Sequence, residues 1–208
     1  MLTLVILIIF LIGTYNGYKN GIILALIQTI GYTISAILAL KYYKALSQLL
    51  YLIIPYPSPF SPAENPYAYY EMDKIFTLDQ SYYHLVSFLV ILILGMLVTY
   101  FVSRLLASFA EELYVPAPFD SVGGGIIAFI QHYIAIFLIL FTLSTIPYDF
   151  IQNRLTTSWL ADWMIVSSPI ISEATDQQFI QEVYEEEIKE LPLMELEDLK
   201  EIDETEEE

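Results

Sequence analysis

Two histidines are the side chains of this sequence best suited to chemistry, because its long apolar runs contain no Asp, Glu, Lys or Arg. His132 lies inside the last run, and His84 lies at the start of another. A histidine there could relay protons or bind a ligand, or it could be satisfied by its own helix. The second alternative is favoured, since no further histidine, cysteine or carboxylate lies at ligand spacing. We therefore predict a protein that is not an enzyme, with no catalytic residue, metal or cofactor.

Asp120 and the three glycines at 123–125 open the last apolar run. The glycines lack the lysine and the spacing of a phosphate-binding loop. The carboxylate can accept hydrogen bonds from the free amide groups of a first helical turn, and its charge suits the positive end of the helix dipole. We expect Asp120 to cap the helix that it begins, and Gly123 to have a structural role in helix packing.

Small and amide side chains recur on one face of two of the apolar runs, at steps of three and four. The two sets are Gly21, Ala25 and Gln28 in one run and Gly124, Ala128 and Gln131 in the other. Segments 21–28 and 124–131 also align without gaps, which indicates either two related hairpins or a coincidence of apolar composition. Because small residues let helices approach closely in lipid, we expect these faces to meet and the two amides to hydrogen-bond to each other.

Four apolar runs dominate a chain of 208 residues that is 56% hydrophobic with a mean hydropathy of +0.57. The runs are Leu2–Ile12, Ile22–Leu40, Leu85–Val102 and Val122–Ile146. The last three are long enough to cross a bilayer, whereas the first, extended to Tyr15, is only about 22 Å long. A cleaved signal sequence is disfavoured for that run because no basic residue precedes it. We predict an all-α membrane protein with four transmembrane helices arranged as two hairpins.

The reversal within the first hairpin is predicted over residues 13–21, where glycines and asparagines cluster. Gly17 belongs to this turn, and Asn20 is the expected cap of the second helix. Residues 1–172 form the predicted transmembrane domain, which includes a Pro/Tyr-rich loop at 46–84 and an interfacial helix at 148–168. The loop aromatics could form a docking surface or pack on the membrane interface and neighbouring helices.

The remaining segment, residues 173–208, carries most of the net charge of −17 and is predicted to be a disordered acidic tail, separable from the membrane domain. Cysteine is absent from the sequence, so disulfides and thiolate metal sites are excluded. There is no basic patch for nucleic acid.

Two motifs and the four-run layout resemble the colicin V production protein family (CvpA) of bacterial inner membranes. Residues 16–21 read Asn-Gly-Tyr-Lys-Asn-Gly, where the family tends to show Arg-Gly-x-x-Arg-Gly, and residues 120–123 read Asp-Ser-Val-Gly, where it shows Asp-Arg-x-x-Gly. The arginines are missing at Asn16 and Ser121. The resemblance implies a non-enzymatic multi-pass protein of the inner (plasma) membrane, associated with bacteriocin production or export, as for a colicin V-like toxin, and with the state of the cell envelope.

Two other functions remain open alternatives. A small transporter or channel component would line a path with its amides and His132, and a scaffold would recruit a soluble partner through its acidic tail. The expected partners are the lipid bilayer and a second copy of the chain or another membrane protein, with no small-molecule substrate. Four spans place both termini on one side; counting basic residues favours cytoplasmic termini, whereas the arginine-rich turns of the family argue for the opposite orientation.

Overall fold

A computed structural model describes residues 1–57, 67–70, 77–112 and 115–185, without the side chains of residues 108–112 and 169–170. The described residues form helices and no strands, which confirms the all-α class. The elements are α1 (Leu2–Ile53), α2 (Leu78–Glu112), α3 (Ala117–Ser144), α4 (Asp149–Thr157), α5 (Trp159–Ser167), α6 (Pro169–Asp176) and a π-helical turn (Gln177–Gln181). Among the described residues, three helices are long and apolar enough to cross a membrane, namely α1, Leu78–Ala107 of α2, and α3.

Helix α1 is interrupted at Gly21, whose backbone has φ of +81° and ψ of +166°. Before this glycine, contacts with α3 move backward along α3 as the chain advances. They pair Gly13 with His132, Gly17 with Ala128, and Gly21 with Asp120. Residues 2–20 therefore run antiparallel to α3.

Beyond Gly21 the contacts with α3 move forward. Ile22 contacts Asp120, and Thr29 contacts Gln131, more than two turns further along α3. Residues 22–53 therefore run parallel to α3, and the chain reverses its direction at Gly21. A single glycine does this because it adopts a positive φ without steric cost.

This reversal is much tighter than the turn predicted over residues 13–21. The helix continues through Asn16 and Asn20, and Gly13 and Gly17 are buried helical residues. Glycine weakens an isolated helix, but here its missing side chain allows close contact with α3. The segment before the reversal reaches residue 20 and is about 28 Å long at about 1.5 Å per residue. It is therefore longer than the span expected to end near Tyr15.

Helix α2 runs antiparallel to the second half of α1. The contacts that show this pair Gln28 with Ser103, Gly31 with Thr99, Ser35 with Gly95, and Tyr43 with His84. We call residues 2–40, 85–107 and 117–140 the bundle. Its outer faces expose large apolar side chains, including Leu11, Ile30 and Val98.

At the end of the bundle opposite Gly21 lies a second packed region, which we call the base: residues 41–57, 67–70, 77–84 and 141–185. Fully or nearly fully buried side chains from all its segments meet in one core, among them Tyr43, Tyr67, Leu78, Leu155, Met164 and Ile180. The predicted loop at 46–84 is correspondingly shorter, because α1 extends to Ile53 and α2 begins at Leu78. Residues 58–66 and 71–76 of that loop lie outside the described part.

The interfacial helix predicted at 148–168 is two helices, α4 and α5, separated at Ser158. The Ser158 hydroxyl accepts a hydrogen bond from the backbone N–H of Ala161, as an N-cap does, and also bonds to the Thr3 hydroxyl at 2.8 Å. The capping serine ends one helix and starts the next. Leu155 faces the core, whereas Trp159 and Trp163 are exposed.

The domain boundary predicted between Ser172 and Glu173 does not match the structure. Residues 173–185 are helical, and Phe179, Ile180 and Val183 are at most 3% exposed. These three side chains share one helix face, which supplies the apolar contact that the acidic composition of the segment obscures. The rest of the predicted tail, residues 186–208, lies outside the described part of the chain.

Candidate functional site

The Asp120 carboxylate caps a helix other than its own. Helix α3 begins at Ala117, so Asp120 lies in its first turn, and its own backbone N–H donates to the carbonyl of Pro116. The Asp120 Oδ1 atom accepts from the backbone N–H of Ile22 at 2.8 Å. Ile22 starts the second half of α1, where the helix dipole is positive. The predicted capping role is thus exerted across the reversal, on a helix that precedes Asp120 by 98 residues.

Gly21 is required at the reversal for two reasons. Its φ of +81° is a conformation that other residues rarely adopt, and a Cβ atom built on it would lie 2.4 Å from Asp120 Oδ2. A side chain at this position would therefore strain the backbone and displace the capping carboxylate. Gly21 and Asp120 form a single unit that turns the chain.

The predicted small-residue face of α3 is brought against the first half of α1 as well as the second. A Cβ atom on Gly17 would lie 2.2 Å from Ala128 Cβ, and one on Gly124 would lie 2.4 Å from the Gly17 carbonyl oxygen. Backbone therefore meets backbone at Gly17 and Gly124. Gly123 faces the flexible end of the Ile22 side chain, where a Cβ atom added to the glycine would lie 2.5 Å from Ile22 Cδ1.

The two amides hydrogen-bond to other groups and not to each other. Gln131 Nε2 donates to Thr29 Oγ1 at 2.8 Å and to the Ala25 carbonyl at 3.3 Å, while Gln28 Nε2 donates to Ser103 Oγ of α2 at 3.3 Å. Thr29 lies one turn after Ala25 and shares its face, whereas Gln28 is rotated toward α2. Neither Thr29 nor Ser103 was predicted from the sequence; the four-residue step from Ala25 to Thr29 was the available signal.

The histidines are held by contacts within the fold. His132 Nδ1 lies 2.7 Å from the Ala128 carbonyl oxygen one turn earlier, and its ring packs on Gly13. His84 is buried, with its ring edge-on to Tyr43 at a centroid distance of 5.2 Å. Within the described ranges, no three His, Cys, Asp or Glu side chains are grouped as a metal site requires.

In the base, Gln152 binds the end of α3. Its Nε2 donates to the carbonyls of Ser144 and Ile146 at 2.9 and 2.8 Å, and its Oε1 accepts from the backbone N–H of Ala68 at 3.2 Å. Carbonyl groups at a helix end have no partner within the helix, so this side chain satisfies them while fixing residues 67–70 to the end of α3. No pattern in the sequence singled out Gln152.

The described loop tyrosines pack on neighbouring helices. Tyr56 bonds to Tyr67 at 2.7 Å and donates to the Thr145 carbonyl at 2.9 Å, and Tyr70 bonds to Ser144 at 3.0 Å. Burial raises the pKa of Tyr67 and of Tyr70 above the ordinary value of 10.0. These rings therefore serve as core residues, as the packing alternative predicts. Phe60, another aromatic of the predicted loop, lies outside the described residues.

Within the described residues, three long apolar helices with exposed apolar outer faces define a helical membrane protein. The chain belongs to the family described as Colicin V production protein, which it matches over residues 2–169. A relative from Bacillus subtilis (strain 168), called Uncharacterized transmembrane protein YshB, is 28% identical over 173 residues, which cover 83% of this chain and 93% of the relative. No solved structure matches the chain. The family match ends at the start of α6.

Proposed function

We propose that the protein is a non-enzymatic, four-span component of the bacterial inner (plasma) membrane that supports the production or export of a colicin V-like bacteriocin, and through it the state of the cell envelope. The observation that carries this proposal is the family match, which covers the whole bundle and ends at residue 169. The role suggested for the bundle is that of a fixed framework that binds a second copy or another membrane protein.

Four crossings are supported by the reversal at Gly21. Residues 2–20 and 22–53 run in opposite directions along α3, so α1 supplies two antiparallel segments. A straight helix of 52 residues would be about 78 Å long, far more than a hydrocarbon core of about 30 Å.

Basic side chains lie over aromatic rings at both ends of the bundle, where the two headgroup regions of a bilayer would be. Near Gly21 these pairs are Lys19 with Tyr15 and Arg104 with Tyr100, and near the base they are Lys41 with Tyr42 and Arg154 with Phe150. Aromatic and basic residues are enriched at both membrane interfaces. The helix between residues 22 and 41 is about 28 Å long, which fits one crossing.

The contacts of the polar groups favour a framework over a transport path. Gln28, Gln131 and His132 all bond to protein groups. Interhelical hydrogen bonds of this kind hold membrane helices together.

The function is tested by complementation. The chain is expressed in a colicin V-producing bacterium that lacks its own family member, and toxin activity in the medium is measured by growth inhibition of a sensitive strain. We expect the wild type and Gly125→Ala to restore activity and Gly124→Leu to fail. An inserted wild-type chain that restores nothing would contradict the proposal.

The number of crossings is tested with single cysteines, since the native chain has none. In Asn20→Cys and Asp149→Cys, a membrane-impermeant maleimide should label the two positions from opposite sides, using intact cells and inverted vesicles. If Asn20→Cys were protected from both sides while Asp149→Cys reacted, α1 would cross the membrane without reversing.

A further inference from the structure

A cavity of about 360 Å³ lies in the base, where residues 67–70, the end of α3, α5 and α6 meet. The residues that line it include three aromatic residues, Val166 and two acidic residues: Tyr69, Tyr70, Phe141, Val166, Glu173 and Asp176. It lies apart from the helix contacts at Gly21, and α6 is beyond the region that the family match covers.

The hydroxyl groups of this cavity already donate to protein atoms. The Tyr69 hydroxyl donates to Asp162 at 3.0 Å, and the Ser172 hydroxyl donates to a backbone carbonyl at 2.7 Å. The Ser144 hydroxyl also donates to a carbonyl, so in the bond between Tyr70 and Ser144 the proton comes from Tyr70. An anionic ligand, which needs donors, would find these hydroxyls occupied.

The charge of the residues that line the cavity favours a positively charged ligand. Glu173 and Asp176 contribute two carboxylates, and none of the described residues that line the cavity is Lys, Arg or His. Asp162 adds a third carboxylate behind Tyr69. A positively charged ligand would be attracted by these groups, and the attraction is strongest where water is partly excluded.

The aromatic walls add a second attraction for a cation. Tyr69, Tyr70 and Phe141 are among the lining residues; Tyr69 is half-buried, whereas Tyr70 and Phe141 are nearly fully buried. The hydroxyl bonds of the two tyrosines fix the orientation of their rings. Ring faces attract ammonium groups, and quaternary ammonium ligands are bound by such aromatic surfaces. Ile165 and Val166 provide apolar contact for the rest of such a ligand.

We propose that this cavity is a binding site for an organic cation, an ammonium group attached to an apolar body. Free amines and the ammonium headgroups of lipids share this chemistry, and the cavity lies at the end of the bundle where lipid headgroups are expected. The site goes beyond the proposed role of the bundle and does not depend on it.

The test measures binding of choline to the full-length protein in nanodiscs of phosphatidylglycerol by calorimetry. The comparison ligand is the neutral analogue of choline in which carbon replaces the quaternary nitrogen. We expect choline to bind at least about tenfold more tightly than this analogue, because both attractions require the positive charge. Equal affinity of the two ligands, or no binding of choline, would overturn the proposal.

Two cavity variants and one control variant test whether choline binds in this cavity. Glu173→Gln with Asp176→Asn removes the lining charge and should weaken choline binding about tenfold, as should Val166→Trp, which narrows the cavity without changing its charge. Asp149→Asn removes an exposed charge elsewhere and should leave binding unchanged. Each variant is first shown to keep its unfolding temperature. Undiminished choline binding by both well-folded cavity variants would contradict the assignment.

Addition of phosphatidylethanolamine to the nanodiscs distinguishes the two sources of ligand. If the lipid headgroup occupies the cavity, choline affinity falls as the fraction of this lipid rises. If the ligand is a free amine, choline affinity does not change with the lipid. Either result is consistent with an organic cation site, provided that the neutral analogue binds more weakly than choline.

Discussion

The bundle and the base are held together by different means. In the bundle, helices meet where side chains are smallest, as at Gly17 and Gly124, and large apolar residues face outward. In the base, large side chains such as Phe179 and Ile180 are buried, and tyrosine hydroxyls bond to carbonyls and serines. Lipid gives apolar helices no reason to associate, so close backbone contact does this in the bundle, whereas burial from water can stabilise the base.

The largest expected difference between the two regions is their response to alkaline pH. Burial raises the pKa of Tyr67 and Tyr70 above 10.0, so the folded base keeps protons that the unfolded chain loses. The stabilisation is complete below pH 10 and is lost as pH rises toward the folded pKa values, by about 1.4 kcal/mol per pH unit for each tyrosine. Unfolding of the protein in detergent should show this slope, and Tyr70→Phe should reduce it. A slope that Tyr70→Phe leaves unchanged would count against burial of that hydroxyl.

The next largest effect is expected on the free energy of unfolding when apolar contact is removed from the base. Ile180 is fully buried, and Ile180→Ala should lower the free energy of unfolding by about 2–5 kcal/mol. Gln177→Ala, one turn earlier on the exposed side, is the matched control and should cost less than about 0.5 kcal/mol. Chemical denaturation in mild detergent measures both. An Ile180→Ala protein as stable as the control would restore the separable tail predicted from the sequence.

In the bundle, the test is to add a methyl group to a glycine, whereas in the base it was to remove apolar atoms. A Cβ atom on Gly124 would meet the Gly17 carbonyl at 2.4 Å, whereas one on Gly125 has nothing nearer than Tyr18 Cβ at 3.6 Å. Gly124→Ala should therefore destabilise the protein by about 1–3 kcal/mol. Gly125→Ala should be neutral or stabilise it by up to about 1 kcal/mol, since alanine favours the helix. Equal effects of these adjacent substitutions would mean that the backbones are not in contact.

The smallest of these effects concerns the capping carboxylate. Asp120→Ala leaves the Ile22 N–H without its acceptor and should cost about 0.5–2 kcal/mol. Asp120→Asn keeps an acceptor oxygen and should cost only the loss of charge, about 0.3–1 kcal/mol. Thermal unfolding of the three proteins in detergent ranks them. If Asn were as harmful as Ala, the hydrogen bond to Ile22 would not be what Asp120 provides.

The sequence predicted the bundle better than the base, for a physical reason. Hydrophobic runs and small-residue faces are local patterns, and the runs predicted the all-α class with long apolar helices, although not that α1 continues through the expected turn at residues 13–21. Gln131 bonds to Thr29 and not, as was predicted, to Gln28. Which of these two residues faces α3 depends on the rotation of the helix about its axis, which the spacing alone does not determine. Residues 173–185 were misjudged because acidic composition suggested disorder, although Phe179, Ile180 and Val183 form a face that only its tertiary partners reveal.

Asp120 also shows that a residue's role can be predicted locally while its partner cannot. Its residue type and its position near a helix start predicted a cap, because carboxylates bond to free amides. Which amide it binds follows from the reversal at Gly21, far earlier in the chain, and no local pattern carries that information.

The reversal at Gly21 is tested most directly by one distance. Spin labels at Val5→Cys and Leu38→Cys, both on exposed faces and about equally far from Gly21, are measured by double electron–electron resonance in nanodiscs. A hairpin places the two labels at the same level of the bundle, about 20 Å apart or less, given interaxial distances of about 8–10 Å between packed helices. A peak near 50 Å, the separation along one continuous helix at about 1.5 Å per residue, would contradict the account.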